Sequence, residues 1–325
     1  MNTVDAITYI AHQEGKRLKP KVIESDVCSE MPYFQLSMTE TETQIRVHGY
    51  REHDNADRMI YFANYLSRQV LPYIKNLKGL SGYYNIELHD TYSYLSNGLD
   101  YNGCLTWCRR KTDNNVVLLP DLYHLCNYQD KLLKIADDNT WTAKNDMIGF
   151  WGTTTGSRKP SLNQRINTCL WALDHPDKTD FKITKVAQMT MSDIINEVPS
   201  FSKIYKSSGY VTPDDMFKYK FLLDIPGNTC SWDRVPMIMK SKSLLFKMPC
   251  QDMCFYYPLM HNKTHFVEVD ENTMLKMQTY YLNNPKEADF IIQNANHFAN
   301  EFFTGVNANV YTVALFDYCA YCQSP

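Results

Sequence analysis

The sequence predicts an α/β protein of two tandem domains closed by a helical tail, and three observations predict it. Short apolar runs that stop at Pro, Gly or a polar residue, such as VVLLP at 116–120 and MIGFW at 147–151, alternate with longer segments whose apolar residues fall at helical spacing. The length of 325 residues exceeds one domain of roughly 100 to 200 residues. The polar stretch DDNTWTAKND at 137–146 supplies a boundary, which we place so that the domains are 1–145 and 146–325.

The elements follow in order. ETQIRVHGY at 42–50 reads as a strand, and residues 55–77 carry Met59, Phe62, Ala63, Leu66, Val70 and Ile74 on one helical face. YYNIELHD at 83–90 alternates as a strand with a polar end, and the loop after it holds the turn signals Asn97-Gly98 and Asn102-Gly103. The runs at 116–120 and 147–151 read as buried parallel strands. Beyond them come a helix over 162–173, a strand over 181–188 and a short helix over 192–197. A strand over 217–225 leads into a turn and helix start, PGNTCSWD, and strands follow at 243–248 and 265–270. Helical periodicity over 274–282 and 288–303 is interrupted at Asn283-Asn284-Pro285, where Pro suits the first position of a helix. The first forty residues carry no clear pattern.

Composition closes several function classes. With 44% hydrophobic and 21% charged residues the chain can fill two cores, which excludes disorder. A formal net charge of −3 gives no global attraction for nucleic acid or an anionic membrane, so neither is an expected partner. Residues 1–14 lack the basic and apolar regions of a secretory signal, and no stretch nears the roughly 18 to 20 apolar residues that cross a bilayer. A cytoplasmic protein without a membrane span is the expectation. The ten cysteines are then free thiols. A zinc reading of the pairs Cys104/Cys108, Cys250/Cys254 and Cys319/Cys322 is disfavoured because the pairs are far apart and only one is C-x-x-C. Among 12 glycines there is neither G-x-G-x-x-G nor G-x-x-x-x-G-K-[ST], which argues against a dinucleotide-dependent dehydrogenase or a P-loop ATPase.

Two loops can bind an anion. In LLDIPGNTCSWDR, Gly227 at a strand-to-helix junction permits close backbone approach, and Thr229 or Ser231 can cap a helix whose free N–H groups attract phosphate. In GTTTGSRKPSLNQR, residues 152–165, three Thr, a Ser and the cations Arg158, Lys159 and Arg165 lie directly beyond a strand end. Planar forks at Arg165 and Arg234 match a diphosphate. In the first half, Asp90 at the end of NIELHD is the best lone carboxylate for general-base work, with Glu87 and His89 on the opposite strand face.

Together these segments resemble glycosyltransferase family 90, the capsule-associated and protein O-glucosyltransferase group. FKYKFLLDIPGNTCSWDRVPMIMKSKSLLFKM looks like the family's strand, Gly-rich turn, Ser and Arg on a helix, and following strand. FYYPLMHNKTHFVEVD, NNPKEADFIIQNANHFANEFF and GFWGTTTGSRKPSLNQR resemble its aromatic-Tyr-Pro helix, its closing helices and its F-R-G-[ST]-T-T-G loop, so the likeness runs over about 116–303. Trp151 stands where the family has Arg, and Cys254 where it has an acidic residue.

The resemblance implies a GT-B fold, two facing Rossmann-like domains with the donor held by the C-terminal one. It implies Asp90 as the base that deprotonates the acceptor hydroxyl. Gly152, Thr153, Arg165, Ser231 and Arg234 would lie at the nucleotide diphosphate, with Gly227 and Thr229 shaping the turn, and Arg158 would supplement them where Trp151 removes a cation. The implied activity is inverting, metal-independent transfer of xylose or glucose from a UDP-sugar to a glycan or lipopolysaccharide-type acceptor, with no cofactor. Other readings are a nucleotide-sugar epimerase or dehydrogenase, and a non-catalytic glycan-binding protein.

Overall fold

Apolar runs that end abruptly make the strands, and apolar residues at helical spacing make the helices. The computed structural model describes residues 3–18, 33–38, 43–48, 56–88, 103–125, 134, 136–207 and 211–322. In the first half these are helix α1 (Thr3–Gly15), strands β1 (Tyr33–Met38) and β2 (Thr43–His48), helix α2 (Ala56–Tyr65), strands β3 (Gly82–Glu87), β4 (Leu105–Thr106), β5 (Arg109–Arg110) and β6 (Val117–Leu118), and helix α3 (Leu122–Leu125). The second half runs β7 (Asn145–Thr153), α4 (Gln164–Trp171), β8 (Thr179–Lys185), α5 (Met191–Glu197), α6 (Pro213–Met216), β9 (Tyr219–Asp224), α7 (Arg234–Lys240) and β10 (Leu244–Lys247). It closes with β11 (Asp252–Met253), β12 (Val267–Glu268), α8 (Met274–Asn283), α9 (Pro285–Phe302) and α10 (Gly305–Cys322).

The α/β class is as expected, but the chain divides differently from 1–145 and 146–325. One unit is Met1–Tyr128 with Gln251–Leu259 and Thr304–Pro325, and the other is Gln129–Cys250 with Met260–Phe303. The polar stretch at 137–146 belongs to the second unit because Asp137, almost wholly buried, takes the Lys144 ammonium at 2.7 Å and the Lys242 N–H at 2.6 Å.

The first unit has a mixed sheet in the order β2-β1-β3-β4-β6, with β1 antiparallel to both its neighbours and β3, β4 and β6 mutually parallel. Helix α10 packs along α1 and buries Tyr311, Leu315, Phe316 and Cys319. Glu14, 6% exposed, accepts from Arg109 Nη2 at 3.0 Å and from the Leu118 N–H at 3.1 Å, so a buried ion pair ties α1 to β5 and β6. Beyond β3, the Leu88 carbonyl accepts from Arg58 Nη1 at 2.9 Å. Asp90 lies outside the described residues.

The second unit holds a five-stranded, wholly parallel sheet in the order β12-β10-β9-β7-β8. Its core is Ile148, Phe150, Ile166, Phe181, Ile183, Phe221, Leu223, Leu244, Phe246 and Val267, each worth about 1.5–3 kcal/mol when buried. Helices α4, α7 and α9 pack on the strands. Since β7 comes first in this unit and the chain goes to β8 on one side and then to β9 on the other, the strand order reverses at the β7–β9 junction. Open parallel sheets bind ligands outside the carboxyl ends of strands at such a switch point. Among the described residues no helix is long and apolar enough to cross a membrane.

Candidate anion site at the ends of β7 and β9

Both anion-friendly loops emerge at the switch point, one after β7 and the other after β9. Asn163 organises the first. Fully buried, it caps α4 by accepting from the Ile166 N–H at 3.1 Å, while its amide donates to the Thr154 carbonyl at 2.9 Å and the Ser157 carbonyl at 3.0 Å. The loop can fold back this tightly because Gly156 takes φ +124°, a conformation that glycine alone adopts readily. The Gly156 N–H donates to Asn228 Oδ1 at 3.0 Å, which joins the first loop to the second.

Arg165, one residue into α4, fastens the two strand ends together. Its Nε and Nη2 both donate to the Ile225 carbonyl, at 3.1 and 3.0 Å. Its Nη1 donates to Thr155 Oγ1 at 2.7 Å and to Thr153 Oγ1 at 3.3 Å. Four of its five N–H hydrogens are thus committed within the protein, which makes Arg165 a positioning group before it is anything else. Gly227 lies directly against this clamp. A Cβ there would sit 2.7 Å from Thr155 Oγ1 and 2.9 Å from Arg165 Nη2, so the glycine is required by close approach.

Arg234, the first residue of α7, reaches the same place from the other side. Its guanidinium lies 4.6 Å from the centre of the Phe150 ring, and its Nη2 donates to the Trp151 carbonyl at 2.7 Å. A Cβ on Gly152 would come within 2.7 Å of the Phe150 ring and 3.5 Å of Arg234 Nη2. Trp151 packs edge-on against Tyr219, with ring centres 4.9 Å apart.

Helix capping by Thr229 or Ser231 is not what the structure shows. Helix α7 begins at Arg234, and Asp233 occupies the cap position without a side-chain cap bond. Ser231 instead donates from Oγ to Asp224 Oδ1 at 2.6 Å, and the Thr229 carbonyl accepts from the Gly227 N–H at 3.1 Å, closing the turn. The Asp224 carboxylate is fully buried and also receives Lys247 Nζ at 3.0 Å. These two residues are partners that strand-and-loop reading passed over, because a polar residue inside an apolar strand gives no sign of what it faces. Arg158 and Lys159 are exposed on the loop.

The electrostatics follow from burial. Burial, and then the like charge of Arg234, lowers the Arg165 guanidinium to about 10. Burial likewise lowers Arg234, with Asp224 and Asp233 acting against it. Burial would raise Asp224, but Lys247, the Ser231 hydroxyl and Arg234 outweigh it and hold the carboxyl below its usual range. Burial would lower Lys247, and Asp224 raises it instead. Three cations, Arg165, Arg234 and Lys247, therefore share one buried carboxylate, Asp224. Asp233 is exposed. The arrangement favours an anion at the strand ends.

Among the described residues, Cys104, Cys108, Cys169, Cys230, Cys250, Cys254 and Cys319 are buried free thiols and Cys322 is an exposed one. Burial pushes the Cys169 thiol up to about 12, which leaves it protonated and inert. No group of three His, Cys, Asp or Glu among the described residues is placed to hold a metal ion.

No family model matches the chain, and no curated protein matches it. Among solved structures, TarM is similar at 12% identity and a TM-score of 0.41, over 70% of this chain and 43% of that one. HepE from Anabaena, in complex with UDP, is similar at 10% identity and a TM-score of 0.38, over 72% of this chain and 63% of that one. The C-terminal domain of LpcC, a group 1 family glycosyl transferase from Francisella tularensis, is similar at 11% identity and a TM-score of 0.33, over 57% of this chain and 96% of that one. These are distant likenesses, and the chain spans less than two thirds of TarM and of HepE.

Proposed function

We propose that the protein is a UDP-sugar-dependent glycosyltransferase of the GT-B type, related to glycosyltransferase family 90. The observation that carries this reading is the excess of cations over carboxylates at the β7–β9 switch point, where a nucleotide diphosphate would supply the missing negative charge. The loops that make this site are the segments whose sequences resemble the family.

In this reading Arg234 faces the diphosphate, since its one hydrogen bond among the described residues, to the Trp151 carbonyl, leaves most of its N–H groups for a ligand. Arg165 holds the Thr153–Thr155 turn and the Ile225 carbonyl in register, and Arg158 on the exposed loop adds charge. Asp90 takes the proton from the acceptor hydroxyl as its oxygen attacks the anomeric carbon. The bond to UDP breaks with its electron pair leaving on the phosphate oxygen, where Arg234 stabilises the developing charge. One displacement inverts the anomeric centre and gives a β-linkage from an α-linked donor. Cations perform the leaving-group work, so the proposal includes no metal. The donor sugar is glucose or xylose, the acceptor a glycan or lipopolysaccharide-type hydroxyl, and the compartment the cytoplasm.

Calorimetric titration with UDP, followed by transfer assays with UDP-glucose and UDP-xylose, tests the reading. Loss of the Arg234 charge-assisted hydrogen bonds is worth about 1.5–3 kcal/mol, so Arg234→Ala should weaken UDP binding about tenfold to a hundredfold. Asp90→Asn should bind UDP like the wild type and lose turnover. Equal UDP affinity in Arg234→Ala would remove the diphosphate assignment, and transfer that a chelator abolishes would remove the metal-free mechanism.

A further inference from the structure

A second polar site lies in the first unit, at a place the nucleotide reading does not use. Helix α2 runs without a break into a π-helical turn, Leu66–Val70, and such turns often mark functional positions. Against it is a cavity of about 250 Å³, lined among the described residues by Tyr61, Asn64, Arg68, Gln69, Leu125 and Asn309, together with Tyr65. The wall is fixed by its own hydrogen bonds. Buried Tyr65 donates to Asn309 Oδ1 at 2.8 Å, which leaves the Asn309 amide N–H groups for another acceptor, and Tyr61 donates to the Leu125 carbonyl at 3.1 Å, which pins its ring.

Asn64, Arg68 and Gln69 have exposed side chains that make no hydrogen bond or ion pair among the described residues. No carboxylate is among the described lining residues. The surface therefore offers one guanidinium, three amides able to exchange hydrogen bonds with hydroxyls, and one aromatic face. Amides that both donate and accept suit vicinal hydroxyls, and a single Arg fork suits one carboxylate or phosphate. We propose that this cavity binds a sugar carrying one acidic group, a uronic acid or a sugar phosphate. The volume admits one monosaccharide. The proposal does not rest on the diphosphate site, which is lined by the other unit.

The test is titration of the full chain with glucuronate, glucose 6-phosphate, glucose and inorganic phosphate, each against wild type and Arg68→Ala. Glucuronate or glucose 6-phosphate should bind at millimolar concentration, at least tenfold more tightly than glucose or phosphate, and whichever binds better identifies the acidic group. Arg68→Ala should lose at least tenfold of that affinity while UDP binding is unchanged. Asn64→Ala, also on the exposed face, should weaken the sugar acids and glucose alike. No binding by either glucuronate or glucose 6-phosphate, binding of both no tighter than that of glucose, or equal affinity in Arg68→Ala would each overturn the assignment. UDP binding is read in the same samples, so failure here is distinguishable from failure at the diphosphate site.

Discussion

At the residue scale, Gly227 shows how a single missing methyl holds the candidate site together. Its backbone fills the space between Thr155 Oγ1 and the Arg165 guanidinium, with its would-be Cβ at 2.7 and 2.9 Å from them. No positive φ is involved, so alanine can adopt the backbone and the cost is collision alone. Gly227→Ala should destabilise the protein by about 1–3 kcal/mol, the usual range for overpacking. It should also weaken UDP binding, because relief comes most easily by displacing Arg165 from the Ile225 carbonyl and the Thr153–Thr155 turn. Urea unfolding combined with UDP titration measures both effects. A variant that loses stability yet binds UDP fully would mean that the Arg165 clamp has no part in shaping the site.

At the element scale, the loop after β7 and the start of α4 depend on Asn163, whose two ends do different work. Its Oδ1 caps the helix by accepting from Ile166, and its Nδ2 holds the carbonyls of Thr154 and Ser157. Asn163→Asp keeps the first role and removes the second, whereas Asn163→Ala removes both. Loss of an N-cap costs about 0.5–2 kcal/mol, and a buried carboxylate set against two carbonyls carries a cost of its own, so both variants should be less stable than the wild type. Both should weaken UDP binding equally if the loop's shape is what matters. Thermal unfolding and UDP titration separate the outcomes, and full UDP affinity in Asn163→Asp would contradict the loop's role.

Much at this scale was legible in the sequence. Strands β7, β8, β9 and β10 announce themselves as apolar runs with abrupt ends, and helices α4, α5, α8 and α9 by spacing and by Pro285. Strands β4, β5 and β6, two residues each, are too short to show a period, and α1 and β1 lie in a stretch whose pattern is mixed. The positions of Arg165, Gly227 and Arg234 beyond strand ends were readable. Their convergence depends on β9 lying beside β7, which periodicity along a chain cannot report. The Asp224–Ser231 bond and the start of α7 at Arg234 were hidden for a related reason, since a serine before a helix reads as a cap whether or not a buried carboxylate claims its hydroxyl.

At the scale of the whole molecule, the order of the chain and the membership of its units part company. The last helix, α10, follows the second unit in sequence but packs with the first, where Tyr311 donates to the Leu118 carbonyl at 2.9 Å and Phe316 meets Tyr84 edge-on. It buries Tyr311, Leu315, Phe316 and Cys319 almost completely. At about 1.5–3 kcal/mol for each large side chain, Tyr311, Leu315 and Phe316 together are worth about 4.5–9 kcal/mol, comparable with the whole stability of a typical domain. Truncation after Phe303 should therefore unfold the first unit, although the removed segment looks like a tail. All the residues of the candidate anion site lie in the second unit, so the truncated chain should keep UDP binding while losing transfer, for which the reading needs Asp90 in the first. Hydrogen exchange resolved by peptide provides the measurement: amides of β3 and β6 should lose protection and those of β7 and β9 should keep it. If β3 and β6 stayed protected without α10, the helix would be an appendage and the energetic argument for its place in the first unit would fail.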